Sequence, residues 1–127
     1  MGMGPDDSFG SMRAASTMRK LSTRQIKRLL ESDEDVLLVS VVERDAFEAE
    51  HIPGSKNIPL GPPGFTLDVM ASALDRNKQI VVYCNDRDSD ASEIAARKLE
   101  KAGYANVWEY EGGTSAWREA GYPVESL

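Results

Sequence analysis

The stretch that most constrains the fold runs from Ile80 to Ala96: Ile80-Val-Val-Tyr-Cys84-Asn-Asp-Arg-Asp-Ser89-Asp90-Ala-Ser-Glu-Ile-Ala-Ala96. It opens as a short apolar run rich in β-branched residues, the pattern of a strand buried on both faces. A polar segment follows, and the chain then resumes as a helix with an Ala-rich inner side. The single cysteine, Cys84, stands where strand gives way to loop. In open parallel sheets chemistry collects at the carboxyl ends of strands, where the next helix points its amides into the crevice. A thiol at that point reads as a nucleophile; the blander alternative is a small buried hydrophobe.

The remaining segments supply elements that such a strand needs around it. Residues 1–18 are rich in Gly, Ser, Asp and Met without periodicity and read as a tail, disordered or in part vector-derived. Residues 19–127 read as one domain, since a chain of 127 residues supports a single hydrophobic core. Ser22-Thr-Arg-Gln25 has capping-box spacing, and Ile26, Leu29 and Leu30 would form the inner stripe of the helix it starts. Val36–Val42 predicts a second strand buried on both faces, and Arg44–Glu50 a short helix with Ala46, Phe47 and Ala49 turned inward. Pro53 and Pro59 confine any strand between them to Ser55–Ile58. Gly61–Gly64 reads as loop, and Phe65–Leu74 as a helix burying Phe65, Val69 and Ala73 or Leu74. Asn77 and Lys78 turn the chain into the central strand, and Gly103 is placed to stop the helix after Cys84. Asn106–Tyr110 predicts a strand, Gly112-Gly113 a tight turn, and Thr114–Ala120 a last helix ending at Gly121. This alternation specifies a parallel α/β sheet with helices on both faces.

Composition excludes several classes of function. One cysteine rules out an internal disulfide and a multi-cysteine zinc site, and one histidine supports metal binding poorly. A free thiol fits the reducing cytoplasm better than secretion. No apolar run reaches membrane-span length and no signal-like segment opens the chain, so no membrane partner is expected. The net charge of -6 argues against nucleic acid. The charge is uneven: Arg13, Arg19, Lys20, Arg24, Lys27 and Arg28 form a basic stretch, after which acids outnumber bases 19 to 9. That stretch reads as a solvated helix face, or as a docking surface for an acidic protein partner.

Four motifs in order carry a resemblance: His51-Ile-Pro-Gly-Ser-Lys-Asn-Ile-Pro59; Val81-Val-Tyr-Cys84; Ala95-Ala96-x-x-Leu99-x-x-x-Gly103-Tyr104-x-Asn106-Val107; and Glu111-Gly112-Gly113-x-x-x-Trp117-x-x-x-Gly121-Tyr-Pro123. From about Leu21 to Val124 the chain resembles a single rhodanese domain. The resemblance implies a three-layer α/β fold with a five-stranded parallel sheet. It also implies a monomeric sulfurtransferase that carries a sulfane sulfur as a persulfide on Cys84, without a separate cofactor. A small donor such as thiosulfate, or a protein persulfide, would load it, and a thiol or cyanide would accept the sulfur.

Three departures from the family bear on this expectation. Active members often follow the cysteine with Gly and then Arg-Ser, whereas Cys84-Asn-Asp-Arg-Asp-Ser-Asp90 has no Gly and an early Arg87, with Ser89 where a variant subgroup has a second cysteine. The usual Asp-x-Arg after the first core strand is Ser40-Val41-Val42. Related dual-specificity phosphatases need an arginine six residues after the cysteine, where Asp90 stands, so phosphate-ester hydrolysis is not expected.

The anion-cradling loop would be Asn85, Asp86, Arg87, Asp88 and Ser89 around Cys84, with inward amides and a helix N-terminus stabilising the sulfur anion. Asp86, Asp88 and Asp90 are expected to point outward, because a carboxylate about 6 Å away opposes a thiolate by roughly 2–3 kcal/mol at an effective dielectric of 20. They would still repel an anionic donor, so weak activity with thiosulfate is expected. Arg87 is either the donor-binding cation or a partner of Asp86 and Asp88; Ser89 either meets the sulfur or caps the helix. Asp90 with Glu93 has capping-box spacing, His51 is expected to make structural hydrogen bonds, and Trp108 and Trp117 to belong to the core. The alternative to an enzyme is a rhodanese-fold module that has lost catalysis and binds a partner. Thiol redox sensing is weakened by the absence of a resolving cysteine.

Overall fold

The computed structural model describes residues 19–32, 35–61, 65, 69, 74–86 and 89–127. The tail at 1–18 therefore lies outside the described residues, as do Arg87 and Asp88. The elements run α1 (Thr23–Glu31), β1 (Val36–Ser40), α2 (Arg44–Ala49), β2 (Lys56–Asn57), β3 (Gln79–Tyr83), α3 (Ala91–Lys101), β4 (Val107–Tyr110) and α4 (Gly113–Glu119). All strand pairs are parallel, in the order β2-β1-β3-β4. Five strands are expected from the sequence; four form among the described residues. At the fifth place, beside β4, a single parallel bridge joins Lys20 to Glu109, closed by Leu21 N–H to Glu109 O and Glu109 N–H to Arg19 O. The capping box at Ser22 starts α1 straight after that bridge, and the residues before Arg19 lie outside the described residues.

Because side chains alternate along a strand, β3 splits its residues between two cores. Ile80, Val82 and Cys84 join Val39, Val107, Ala95, Ala96 and Leu99 on the face covered by α3. Phe65 and Val69, the described helical residues of the 65–74 segment, are buried on this face too. Val81 and Tyr83 join Ile26, Leu38, Ile52, Tyr110 and Trp117 on the face covered by α1 and α4. A strand sealed from water on both sides makes its carboxyl end a fixed platform.

Local signals hold where they depend on near neighbours. The capping box at α1 forms in both directions, Gln25 N–H to Ser22 Oγ at 3.2 Å and Ser22 N–H to Gln25 Oε1 at 2.8 Å. Its inner stripe is narrower than expected: Ile26 is buried, but Leu30 is 38% exposed, because a helix at the sheet edge has only one packed neighbour face. Phe47 is buried in α2, while Ala49 is exposed. β1 stops at Ser40, and the paired residues between the prolines shrink to Lys56–Asn57. Gly103 and Gly121 take positive φ of 100° and 88° just past their helices, as chain stops require.

Tyr83 ties β3 to the turn after α2. Its hydroxyl accepts from Ile52 N–H at 3.1 Å and pairs with Ser55 Oγ at 2.7 Å. Burial pushes its pKa up, against a smaller opposing effect of the Ser55 hydrogen bond. Tyr83→Phe strands the buried Ile52 amide and is expected to cost about 1–3 kcal/mol at neutral pH. Above about pH 10 the unfolded chain releases the tyrosine proton while the folded chain keeps it, so wild-type stability falls with rising pH. The gap between wild type and Tyr83→Phe should therefore narrow in urea titrations above that pH; a constant gap would contradict the assignment.

Candidate active site

Cys84 is the first residue past β3, and its strand phase points Sγ toward α3. The side chain is 1% exposed. Sγ has three acceptors in reach of its single hydrogen: Asp86 O at 3.3 Å, Ser92 Oγ at 3.7 Å and, more weakly, Ser89 O at 4.0 Å. Asp86 and Ser89, on either side of Arg87 and Asp88, thus both bring a carbonyl oxygen toward the sulfur, and Ser92 brings a hydroxyl.

The loop start is held from α4. Thr114 N–H donates to Cys84 O at 3.1 Å and Ser115 N–H to Asn85 O at 2.8 Å. Gly113 permits this approach at φ 64°; a Cβ there would sit 2.3 Å from Cys84 O and 2.8 Å from Asn85 C. At Gly112 a Cβ would fall 2.7 Å from the Ala116 Cβ. Gly113 is therefore a contact surface for the cysteine loop, while Gly112 is pressed against Ala116 and Tyr110.

Cys84 lies at the floor of an open cavity of about 460 Å³ lined by Val41, Val42, Leu60 and Gly61 on one side and Asn85, Asp86, Ser89 and Ala91 on the other, with Glu43 at its edge. None of these described lining residues is cationic. Arg87, the one cation expected here, and Asp88 are outside the described residues. A larger cleft of about 620 Å³ at the start of α1, lined by residues including Lys20, Arg24 and Gly112, holds no residue of the cysteine loop. The site is assigned to the cavity with the nucleophile.

Helix α3 begins under the loop. Asp90 occupies the cap position but makes no side-chain capping bond, so the expected capping box with Glu93 does not form. Ser89 Oγ instead accepts from Ala91 N–H at 3.2 Å, so its side chain serves the helix while its carbonyl oxygen faces the sulfur. Glu93 pairs with Arg97 at 2.8 Å. Asp90 is exposed and Asp86 half-buried.

Two residues that sequence reasoning gave no role lead away from the thiol, Ser92 in contact with it and Glu109 in contact with Ser92. Ser92 is buried, and its Oγ donates to Glu109 Oε2 at 2.7 Å. Glu109, on β4, is 2% exposed, and its Oε1 finds no hydrogen-bond partner among the described residues. A glutamate at an inward position of a core strand, in phase with Val107, was the available signal.

His51 is structural, as expected: it is buried, stacks on Phe47 at 4.0 Å between ring centres, and brings Nδ1 within 2.7 Å of Phe47 O. Trp117 is core and donates Nε1–H to Pro123 O at 2.8 Å; Trp108 is half-buried beneath Arg19, 4.6 Å from ring centre to guanidinium. Of the basic stretch, Lys20 pairs with Glu111 and Lys27 with Glu31, each at 3.1 Å. No helix among the described residues is long and apolar enough to cross a membrane. Nor does any group of three or more His, Cys, Asp or Glu among them come together to hold a metal ion.

A parallel sheet covered on both faces, with a cysteine loop at the carboxyl end of its central strand, defines a class, and comparison with known proteins agrees. The chain belongs to the rhodanese-like domain family, whose model matches residues 22–120. It is 32% identical over 107 residues to a putative sulfur carrier protein, YrkF, of Bacillus subtilis, covering 84% of this chain and 55% of that protein. It thus spans about half the length of that relative. It is 30% identical over 95 residues to the thiosulfate sulfurtransferase GlpE of Pseudomonas syringae, covering 75% of this chain and 83% of the relative. The solution structure of the rhodanese-like domain of the Anabaena protein Alr3790 is 25% identical with a TM-score of 0.74, covering 87% of this chain and 81% of that domain.

Proposed function

We propose that this domain is a cytoplasmic sulfurtransferase that carries sulfane sulfur as a persulfide on Cys84. The observation that carries the reading is the placement of the only thiol at the floor of an open cavity where β3 ends and α3 begins. The relatives named as a sulfur carrier and a thiosulfate sulfurtransferase support it. In the loading step the Cys84 thiolate attacks the outer sulfur of the donor. A new S–S bond forms on Cys84, the donor's S–S bond breaks, and its inner sulfur leaves with the electron pair. In the discharge step an acceptor thiolate or cyanide takes the outer sulfur and Cys84 leaves as thiolate. No oxidant or cofactor is consumed.

The cavity lining selects among donors. Val41, Val42 and Leu60 offer apolar contact, while Glu43 and Asp86 make the described lining acidic. A dianionic donor such as thiosulfate meets repulsion that a neutral or protein-bound persulfide avoids. Loading should therefore be slow with thiosulfate and accelerate with ionic strength, and be faster and nearly salt-independent with a persulfide. Fast loading by thiosulfate with no response to salt would contradict the donor assignment.

The test of the function itself is intact mass after incubation with each donor: a gain of one sulfur atom, discharged by added thiol, supports the carrier. The competing reading is a docking module, favoured by the acidic lining and by acceptor groups facing the thiol. It requires that no donor leaves a sulfur adduct.

A further inference from the structure

Among the described residues, Glu109 is the one Asp, Glu, Lys or Arg buried in the core. A carboxylate taken out of water normally finds donors for both oxygens. Here Oε2 receives one hydroxyl proton, from Ser92 at 2.7 Å, and Oε1 receives none. Among the described residues, Glu109 therefore keeps an unused buried acceptor atom at the end of a hydrogen-bonded path. Ser92 gives its own hydrogen to Glu109 and so keeps its lone pairs for another donor. That donor is the Cys84 thiol, 3.7 Å away. The polarity runs one way along the three groups, S–H to O–H to carboxylate.

We propose that Ser92 and Glu109 form an internal proton relay that removes the proton of Cys84 and returns it after sulfur transfer. The proposal rests on the sulfurtransferase reading above and supplies it with a base that Sγ reaches through one hydroxyl. The S–H bond breaks as an O–H bond forms on Ser92, and the original Ser92 proton passes to Glu109 Oε2. The outcome is a Cys84 thiolate, a neutral serine and a neutral carboxylic acid. One negative charge is present before and after, so the sulfur gains its charge as the carboxylate loses the charge that would repel it. When the acceptor removes the outer sulfur, Cys84 departs as thiolate and the same path runs backward. Ser92 touches the reacting atom and is the catalytic residue of the relay; Glu109 acts through it and is the positioning residue.

The charged groups facing the relay come from several elements. Lys20, at the sheet edge, acts on Glu109 at long range while hydrogen-bonded to Glu111, and Glu93 on α3 also acts on Lys20. Glu43 and Asp86 border the cavity on the Cys84 side. None of these neighbours contacts Sγ through a side chain in the described residues.

The test is the rate at which iodoacetamide, a neutral reagent, alkylates Cys84 as a function of pH. Wild type should show two steps, because thiolate arises first with Glu109 protonated and again when both groups have lost their protons. Glu109→Gln and Ser92→Ala should each collapse this to one step and slow alkylation on the acidic side by about tenfold or more. The double variant should be no slower than either single one, since both cut the same path. A single-step wild-type profile overturns the relay. So does a Glu109→Gln protein that reacts as fast as wild type or faster at every pH, which would make Glu109 a repelling charge only. Thermal melts separate a folding defect from a relay defect, and the wild-type profile decides even if both variants unfold. Alkylation needs no sulfur donor, so a failed relay leaves the persulfide reading standing, and an absent sulfur adduct leaves the relay measurement intact.

Discussion

Cys84→Ser is expected to abolish sulfur loading and transfer while leaving the fold in place. A hydroxyl oxygen cannot form the S–S bond that both steps require, and this chain has no second cysteine to substitute. The geometry predicts that the serine is accommodated. The site is a small buried one, and a serine hydroxyl can donate to Asp86 O and Ser92 Oγ as the thiol does at 3.3 and 3.7 Å. The stability change should stay within about 1–2 kcal/mol, the range for a buried polar group that keeps its partners. Intact mass should show no sulfur adduct under conditions that load wild type, with an unchanged circular dichroism spectrum. Persistent sulfur gain by the variant would remove Cys84 from the mechanism.

Gly113→Ala is expected to have the largest effect on stability of any single-methyl addition at the site. Two costs coincide there. The residue sits at φ 64°, where an L side chain is strained by roughly 1–2 kcal/mol. The new methyl would also fall 2.3 Å from the Cys84 carbonyl oxygen, and that contact is with backbone that cannot rotate away. Relief requires α4 to withdraw, breaking the bonds from Thr114 N–H and Ser115 N–H to the loop. The sum is about 3 kcal/mol or more, with loss of sulfur transfer because the loop loses its anchor. Gly54→Ala is the control: φ is 85° but nothing lies within 4 Å of the added methyl, so only the strain remains. If urea titrations place the two variants at the same midpoint, the close contact carries no energy and the anchor argument fails.

Signals confined to one segment could be read without a structure. The β-branched run of β3, the capping box of α1 and the glycines that stop α3 and α4 each depend on residues within a turn or two of one another. Cys84 at the end of β3 was legible for the same reason. Signals that depend on neighbours from elsewhere in the chain were read less well. Leu30 and Ala49 have inward spacing but no element above them, so they stay exposed. Asp90 has the chemistry of a cap, yet Ser89 makes the capping bond, because the loop's path over the sulfur sets which oxygen faces the helix amides. Among the described residues, the place of a fifth strand holds only the Lys20 bridge, which joins segments 89 residues apart in the chain.

By itself, then, the sequence determined the alternating α/β order, the two-faced burial of β3 and the position of the thiol at its carboxyl end, since backbone periodicity and propensity act locally. Only the tertiary structure decided what surrounds that thiol. Ser92 and Glu109 are 17 residues apart, on a helix and on the strand that follows it, and the parallel crossover is what brings them together at 2.7 Å. The same packing sets Gly113 against the Cys84 carbonyl. Contacts of this kind depend on how layers dock, and no periodicity along the chain encodes them.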